Sequence, residues 1–223
     1  MRIDIITLFP EMFAPLDESI IKRARDKGVL DINFTQLRDF AFNKHKQVDD
    51  TPFGGGSGMV LKPEPMFYAV RSVLENSMPK EQRRILIMDP IGKKFTQDKA
   101  KELSSFEQLI FICGHYEGFD ERIYELADEA ISIGEYVLTG GELPAMVIID
   151  AVARMLPNVL GSDESAKTDS FYDGIAGYPQ YTKPRDFEGR LVPDILLSGH
   201  HAKIAQWRRE QSLIRSAEYI IKN

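Results

Sequence analysis

Three glycine-bearing loops constrain this chain more than any other feature, because each follows a short apolar or β-branched run and each leads into a helix-like segment. The fullest spans Ala130 to Pro144. Its strand-like run, Ile131-Ser132-Ile133, stops at Gly134. The apolar segment Tyr136-Val137-Leu138 follows, then Gly140-Gly141, then a helix start with Pro144 in its first turn, where a missing N–H costs little. Glycine permits positive φ and close approach of a ligand to the backbone. Such a loop offers free N–H and C=O groups beside apolar side chains, which suits a flat heterocycle. A single glycine cluster is equally a tight strand-to-helix connection with no ligand. Three of them, all at strand ends, point to a bound group.

The rest of the chain supplies the alternation these loops need. Arg2 to Leu8 reads as a buried strand ended by Pro10, and Glu11 to Lys27 as a helix stopped by Gly28. Val29 to Leu37 alternates as a strand. A polar stretch, Arg38 to Pro52, opens into Phe53-Gly54-Gly55-Gly56-Ser57-Gly58-Met59, whose glycine density excludes a helix or a strand core. Val60-Leu61 is a short strand, and a helix runs from Pro63 to about Asn76. Arg84 to Met88 is a strand ended by Asp89-Pro90, with Ile91-Gly92 as a turn. Thr96 caps a helix reaching Ser104. Gln108 to Cys113 is a strand, Gly114 to Gly118 the second strand-end loop, and Asp120 to Leu126 a helix. The last helix of this part runs from about Glu142 to Leu156. Strands separated by such helices predict βαβ units and a parallel sheet, with the ligand beyond the carboxyl ends of the strands.

Composition changes after Leu160. Gly161 to Gly177 reads as a flexible linker, Tyr178 to Pro193 as irregular, and Ser198 to Ala217 as a helix with Ile204, Trp207, Ile214 and Ala217 near one face. Trp207 is expected to pack in a core. The predicted organisation is a domain over 1–160, a linker over 161–177 and a small helical domain over 178–223.

Charge narrows the partners. A net charge of −6 argues against non-specific nucleic-acid binding. Local basic clusters remain, among them Lys44-His45-Lys46, Lys183 with Arg185, and Lys203 with Arg208 and Arg209; each is equally a solvated face. The one cysteine, Cys113, excludes an intramolecular disulfide and predicts a reducing, cytoplasmic setting with the thiol as a buried hydrophobe. No apolar run is long enough to span a bilayer, and Asp4 stands where a signal peptide would be apolar. No Cys/His cluster has metal spacing. Neither G-x-x-x-x-G-K-[ST] nor G-x-G-x-x-G nor G-x-S-x-G occurs, so phosphate cradling and acyl transfer are not indicated.

The loop words resemble those of the bacterial tRNA (guanine-N1)-methyltransferases, trefoil-knotted members of the SPOUT methyltransferases. They are Ile5-Ile6-Thr7-Leu8-Phe9-Pro10, Val48-Asp49-Asp50 with Gly54 to Met59, Cys113-Gly114-His115-Tyr116-Glu117-Gly118, and Ser132 to Ala145. Asp169-Ser170-Phe171, Tyr181-Thr182-Lys183-Pro184 and Leu197-Ser198-Gly199-His200 continue the match, which runs end to end. Departures are small: Lys183 stands where the family often has arginine, and Thr51 and Ser57 also differ from common choices. The resemblance implies an α/β fold, a parallel sheet flanked by helices with a deep trefoil knot, plus a small mostly helical C-terminal domain for tRNA. It implies a homodimer with shared active sites.

The resemblance further implies S-adenosylmethionine held by Met88, Pro90, Gly114, Tyr116 and Glu117, then Ile133, Gly134, Glu135, Tyr136, Val137 and Leu138, then Gly140, Gly141 and Pro144, with Asp89 beside them. The reaction it implies is methylation of N1 of the guanosine 3′ of the tRNA anticodon, with Asp169 as base and Arg154 stabilising O6. By their residues alone, Arg154 is equally an i,i+4 partner of Asp150, and Asp169 an ordinary solvated acid. Lys44, His45, Asp50, Lys183, Arg185 and Arg208 are the RNA-contact candidates, Asp50 for guanine donors and the cations for phosphate. The family is associated with magnesium, for which no ligand set is assignable here. A rival is another knotted methyltransferase acting on ribose or ribosomal RNA; a further one is a non-catalytic RNA-binding protein that holds the cofactor.

Overall fold

The computed structural model of the chain describes residues 1–161 and 166–222; residues 162–165 of the expected linker lie outside them. Two compact units are present, Met1–Gly161 and Ser162–Asn223.

In the first unit five strands form one sheet in the order β2-β1-β6-β5-β7, every neighbour parallel. They are β1 (Arg2–Thr7), β2 (Asp31–Gln36), β5 (Arg83–Lys94), β6 (Gln108–Ile112) and β7 (Glu129–Ser132); β3 (Asp49–Asp50) and β4 (Val60–Leu61) make a separate antiparallel pair. Strand side chains alternate between two cores. Ile3, Ile5, Leu86, Leu109 and Phe111 pack on one face with α1 (Ser19–Asp26), α3 (Gln97–Ser104) and α4 (Glu142–Ala153). Ile6, Ile85, Ile87, Ile110 and Ile112 pack on the other with α2 (Pro63–Glu75). A parallel sheet covered on both faces needs apolar residues at every position, and all of Gln108–Ile112 is buried.

Several elements depart from the sequence expectation. The helix expected over Glu11 to Lys27 is split at Glu18, whose backbone is extended (φ −124°, ψ 162°), into a 3₁₀ segment, Pro10–Asp17, that contains Pro15, and α1. The segment after Asp120 is a 3₁₀ turn, Glu121–Leu126, capped by the Asp120 side chain. Thr96 caps α3 as expected, its hydroxyl accepting from Lys99 N–H. The polar stretch after β2 holds a 3₁₀ turn, Leu37–Phe40, and buries Leu37 and Val48.

The main correction concerns β5. It does not end at Asp89-Pro90 but continues to Lys94, with a register jump: Met88 and Lys93 both pair with Ile131 of β7. Asp89 to Gly92 are the slack between those pairings. Pro90 is tolerated because the bulge asks no ladder hydrogen bond of it. Gly92 closes the bulge against β7, where a Cβ would lie 2.5 Å from Ala130 C and Ile131 N.

In the second unit, residues 178–193 are not wholly irregular: β8 (Asp186–Phe187) and β9 (Arg190–Leu191) form a hairpin, turned by Glu188 and Gly189 at φ 53° and 78°. The terminal helix spans His201–Lys222, later than expected, since a short helix, Asp194–Leu197, and Gly199 at φ 72° precede it. Trp207 is half-buried rather than in a core, and Ile214 and Ala217 are exposed, so the expected apolar face is covered only in part. Phe171 packs on Tyr219 and Ala176 N–H donates to Ser216 Oγ, which ties residues 171–176 to this helix.

Gly92→Ala is expected to lower stability by about 1–3 kcal/mol, the usual cost of overpacking against backbone. A reduced urea midpoint with an unchanged m-value is the measurement that checks it.

Candidate active site

The carboxyl ends of β5, β6 and β7 open onto one cleft of about 240 Å³. Three segments line it: Met88, Asp89 and Pro90 from the β5 bulge; Gly114 to Phe119 after β6; and Ile131 to Gly134 with Tyr136 to Gly141 and Pro144 around the β7–α4 loop. The structure therefore brings together every residue expected at the cofactor except Glu135, which is exposed and does not line the cleft. Sequence reading missed Glu121, Tyr124 and Thr139 in the lining, and His115, which it quoted only as part of a loop word. Tyr124 donates to Asp89 Oδ2 and so holds a bulge carboxylate in place. Burial, with the Asp89 hydrogen bond second, pushes the Tyr124 hydroxyl far above its usual range.

Backbone proximity builds the floor. Gly141 N–H donates to Gly114 O at 2.9 Å, and His115 and Gly140 form an isolated antiparallel bridge. A Cβ on Gly141 would lie 2.8 Å from Cys113 Cα and 2.9 Å from Gly114 N. Only glycine lets the two loops approach this closely. Tyr116 holds φ 64°, an uncommon conformation for an aromatic residue, and half-exposes its ring beside the cleft.

Beneath the floor is a buried polar cluster that pattern reading did not find. Glu142, the first residue of α4, is 0% exposed. Its Oε1 accepts from Thr7 Oγ1 at 2.6 Å and its Oε2 is 2.9 Å from His115 Nε2. Thr7 Oγ1 in turn accepts from Phe9 N–H, and the Phe9 ring packs edge-on against His115 at 4.7 Å. One side chain thus joins the end of β1, the loop after β6 and the start of α4. The only signal in the sequence was a charged residue inside an apolar helix start.

The lining is acidic. Asp89, Glu117 and Glu121 contribute carboxylates, and no described lining residue is lysine or arginine. With apolar walls from Ile133, Val137, Leu138 and Pro144, the cleft suits a flat heterocycle carrying positive charge. A phosphate ester would find no cation there. Among the described residues no group of His, Cys, Asp and Glu could hold a metal ion, so magnesium finds no ligand set in them.

The other expected residues lie elsewhere. Arg154 is half-buried at the carboxyl end of α4, its N–H donating to Asp150 O. Asp169 belongs to the second unit, half-buried in a cavity that Arg208 and Arg209 also line. Lys183, Arg185 and Arg208 share a second cavity of that unit, about 470 Å³, with Tyr178 and Tyr181. There Arg208 stacks over the Tyr178 ring at 4.7 Å, and Arg185 pairs with Asp194 at 2.9 Å. Lys44, His45 and Asp50 are exposed on the first unit, around the turn that leads into β3.

Cys113 is buried, with its thiol pushed well up by burial first and by the Glu142 charge second. A thiol reagent at neutral pH is expected to leave the native protein unlabelled and to react once per chain in urea; rapid labelling of the native protein would contradict this burial.

A family model described as tRNA (Guanine-1)-methyltransferase TrmD matches residues 1–221. The chain is similar to a tRNA (guanine-N(1)-)-methyltransferase of Staphylococcus carnosus (strain TM300), 59% identical over 97% of this chain and 87% of the relative. It is similar to proteins of the same name from Leuconostoc mesenteroides, 56% identical over 97% of this chain and 88% of the relative, and from Desulfitobacterium hafniense (strain Y51), 56% identical over 97% and 81%.

Proposed function

This chain belongs to the tRNA (guanine-1)-methyltransferase family, and from that premise we propose that it methylates N1 of the guanosine immediately 3′ of the tRNA anticodon, with S-adenosylmethionine as donor. The observation that carries the donor assignment is the acidic, glycine-floored cleft at the strand ends, which offers backbone groups to an adenine and carboxylates to a cation. When bound, S-adenosylmethionine supplies a methyl group on a positively charged sulfur.

What the chain's own residues contribute follows from the chemistry of guanine. N1 carries a proton, so it is a poor nucleophile until a base removes it. Asp169 takes that proton onto its carboxylate, and the N1 electron pair then forms the new bond to the methyl carbon. Negative charge develops on O6, and the Arg154 guanidinium stabilises it. The two glycine loops would hold the donor while N1 is presented to it. In the same proposal the protein is a homodimer with shared active sites, and tRNA binding orders Asp169 for the proton transfer. In the same reading the loops at 113–118 and 132–141 carry the trefoil threading. The second unit, with Lys183, Arg185 and Arg208, holds tRNA phosphate, Lys44, His45 and Asp50 contribute from the first, and the enzyme works in the cytoplasm.

Two unmodified tRNA transcripts test this, one with G and one with A immediately 3′ of the anticodon. Labelled donor is expected to mark only the first, yielding N1-methylguanosine on digestion. Equal labelling of both would place the target elsewhere and favour a different knotted RNA methyltransferase. Asp169→Asn is expected to reduce single-turnover transfer by about 10²- to 10⁴-fold while donor affinity stays within about twofold. A comparable loss of donor binding would instead make Asp169 a part of the cleft.

A further inference from the structure

We propose that Glu142 biases the cleft toward a positively charged sulfur, so that the methyl donor is held and the demethylated product is released. This rests on the reading of the cleft as the S-adenosylmethionine site. Glu142 does not itself line the cleft, and meets it through the lining residue His115, 2.9 Å from its Oε2. Its Oε2 lies just under the floor, where a Cβ on Gly140 would be 2.5 Å from it. Gly140 itself lines the cleft, so one glycine separates the carboxylate from the ligand space.

Two features make this carboxylate different from its neighbours. Glu117 and Glu121 are exposed, and solvent and salt screen them. Glu142 is 0% exposed, so its field passes through protein rather than water and acts at greater effective strength. Thr7 Oγ1 donates to Glu142 Oε1 at 2.6 Å, and Glu142 Oε2 lies 2.9 Å from His115 Nε2. The Glu142 charge also reaches Cys113, on the strand end that leads into Gly114, where it helps hold the thiol protonated.

The consequence follows from charge balance. During transfer the methyl carbon bonds to N1, the carbon–sulfur bond breaks, and its electron pair stays on sulfur. A cation becomes a neutral thioether, and the guanine proton leaves on Asp169. The attraction of Glu142 for the ligand therefore vanishes with the chemistry itself. Asp89, Glu117 and Glu121 favour the cation too, from half-buried or exposed positions, while the adenosine of donor and product is bound alike.

Calorimetric titration of the full chain with S-adenosylmethionine and, separately, with S-adenosylhomocysteine tests the proposal. Glu142→Gln keeps the shape and one acceptor oxygen for Thr7, turns the atom facing His115 into an amide donor, and removes the charge. It is expected to weaken the donor by about tenfold and to leave the product within about twofold. Glu142→Asp keeps the charge at the wrong reach, so both affinities are expected to fall together with their ratio preserved. His115→Arg puts a permanent cation beside an intact Glu142 and is expected to lower the donor-to-product ratio as Glu142→Gln does. Equal weakening of both ligands in a folded Glu142→Gln variant would overturn the proposal and leave Glu142 a purely structural residue. If that variant does not fold, an unchanged ratio in His115→Arg overturns it equally. A wild-type chain that binds neither ligand would instead remove the reading of the cleft.

Discussion

The contact on which the cleft depends is the one between Thr7 and Glu142, 135 residues apart in the chain. Burying a carboxylate is expensive unless its oxygens are occupied, and Thr7 and His115 occupy both. In return, the start of α4, the end of β1 and the loop after β6 share one anchor. Gly140 and Gly141 sit immediately before it in the chain. Their position against Cys113 and Gly114 is therefore set by a side chain that never enters the cleft. Removing one partner would leave an uncompensated charge in the interior, which is why such a cluster tolerates little change.

The sheet supplies what that anchor needs. Parallel strands direct their carboxyl ends to one edge, and loops leaving β5, β6 and β7 necessarily meet there. The β5 bulge adds the third wall. Without the register jump between Met88 and Lys93, Asp89 and Pro90 would be ordinary ladder residues. With it, Asp89 is free to accept from Tyr124 and to face the cleft. A small irregularity in a buried sheet thus makes a site, as bulges commonly do.

Much of this was legible in local pattern. Buried strand runs such as Leu109-Ile110-Phe111-Ile112 announce themselves as continuous apolar stretches, Thr96 as a cap, and the glycine words as strand-end loops. The resemblance carried by those words named most of the residues gathered at the cleft, and also Glu135, which does not line it; Glu121, Tyr124 and Thr139 were missed. What failed did so for physical reasons. Pro90 argued for a strand end, and only the slack against β7 lets the strand pass through it. The helix expected over Glu11 to Lys27 is interrupted at Glu18, where the backbone is extended. The hairpin at Glu188-Gly189 was hidden because strands of two residues leave no periodicity to read.

The sequence by itself determined the five strands of the main sheet and the glycine turns that follow them. Those depend on propensities and spacings within a few residues of one another. The tertiary structure alone decided the strand order β2-β1-β6-β5-β7, the burial of Glu142 beneath the cleft, and the gathering of Arg185, Arg208 and Tyr178 around one cavity of the second unit. Those depend on partners far apart in the chain, and no local pattern records which distant hydroxyl will meet which buried carboxylate.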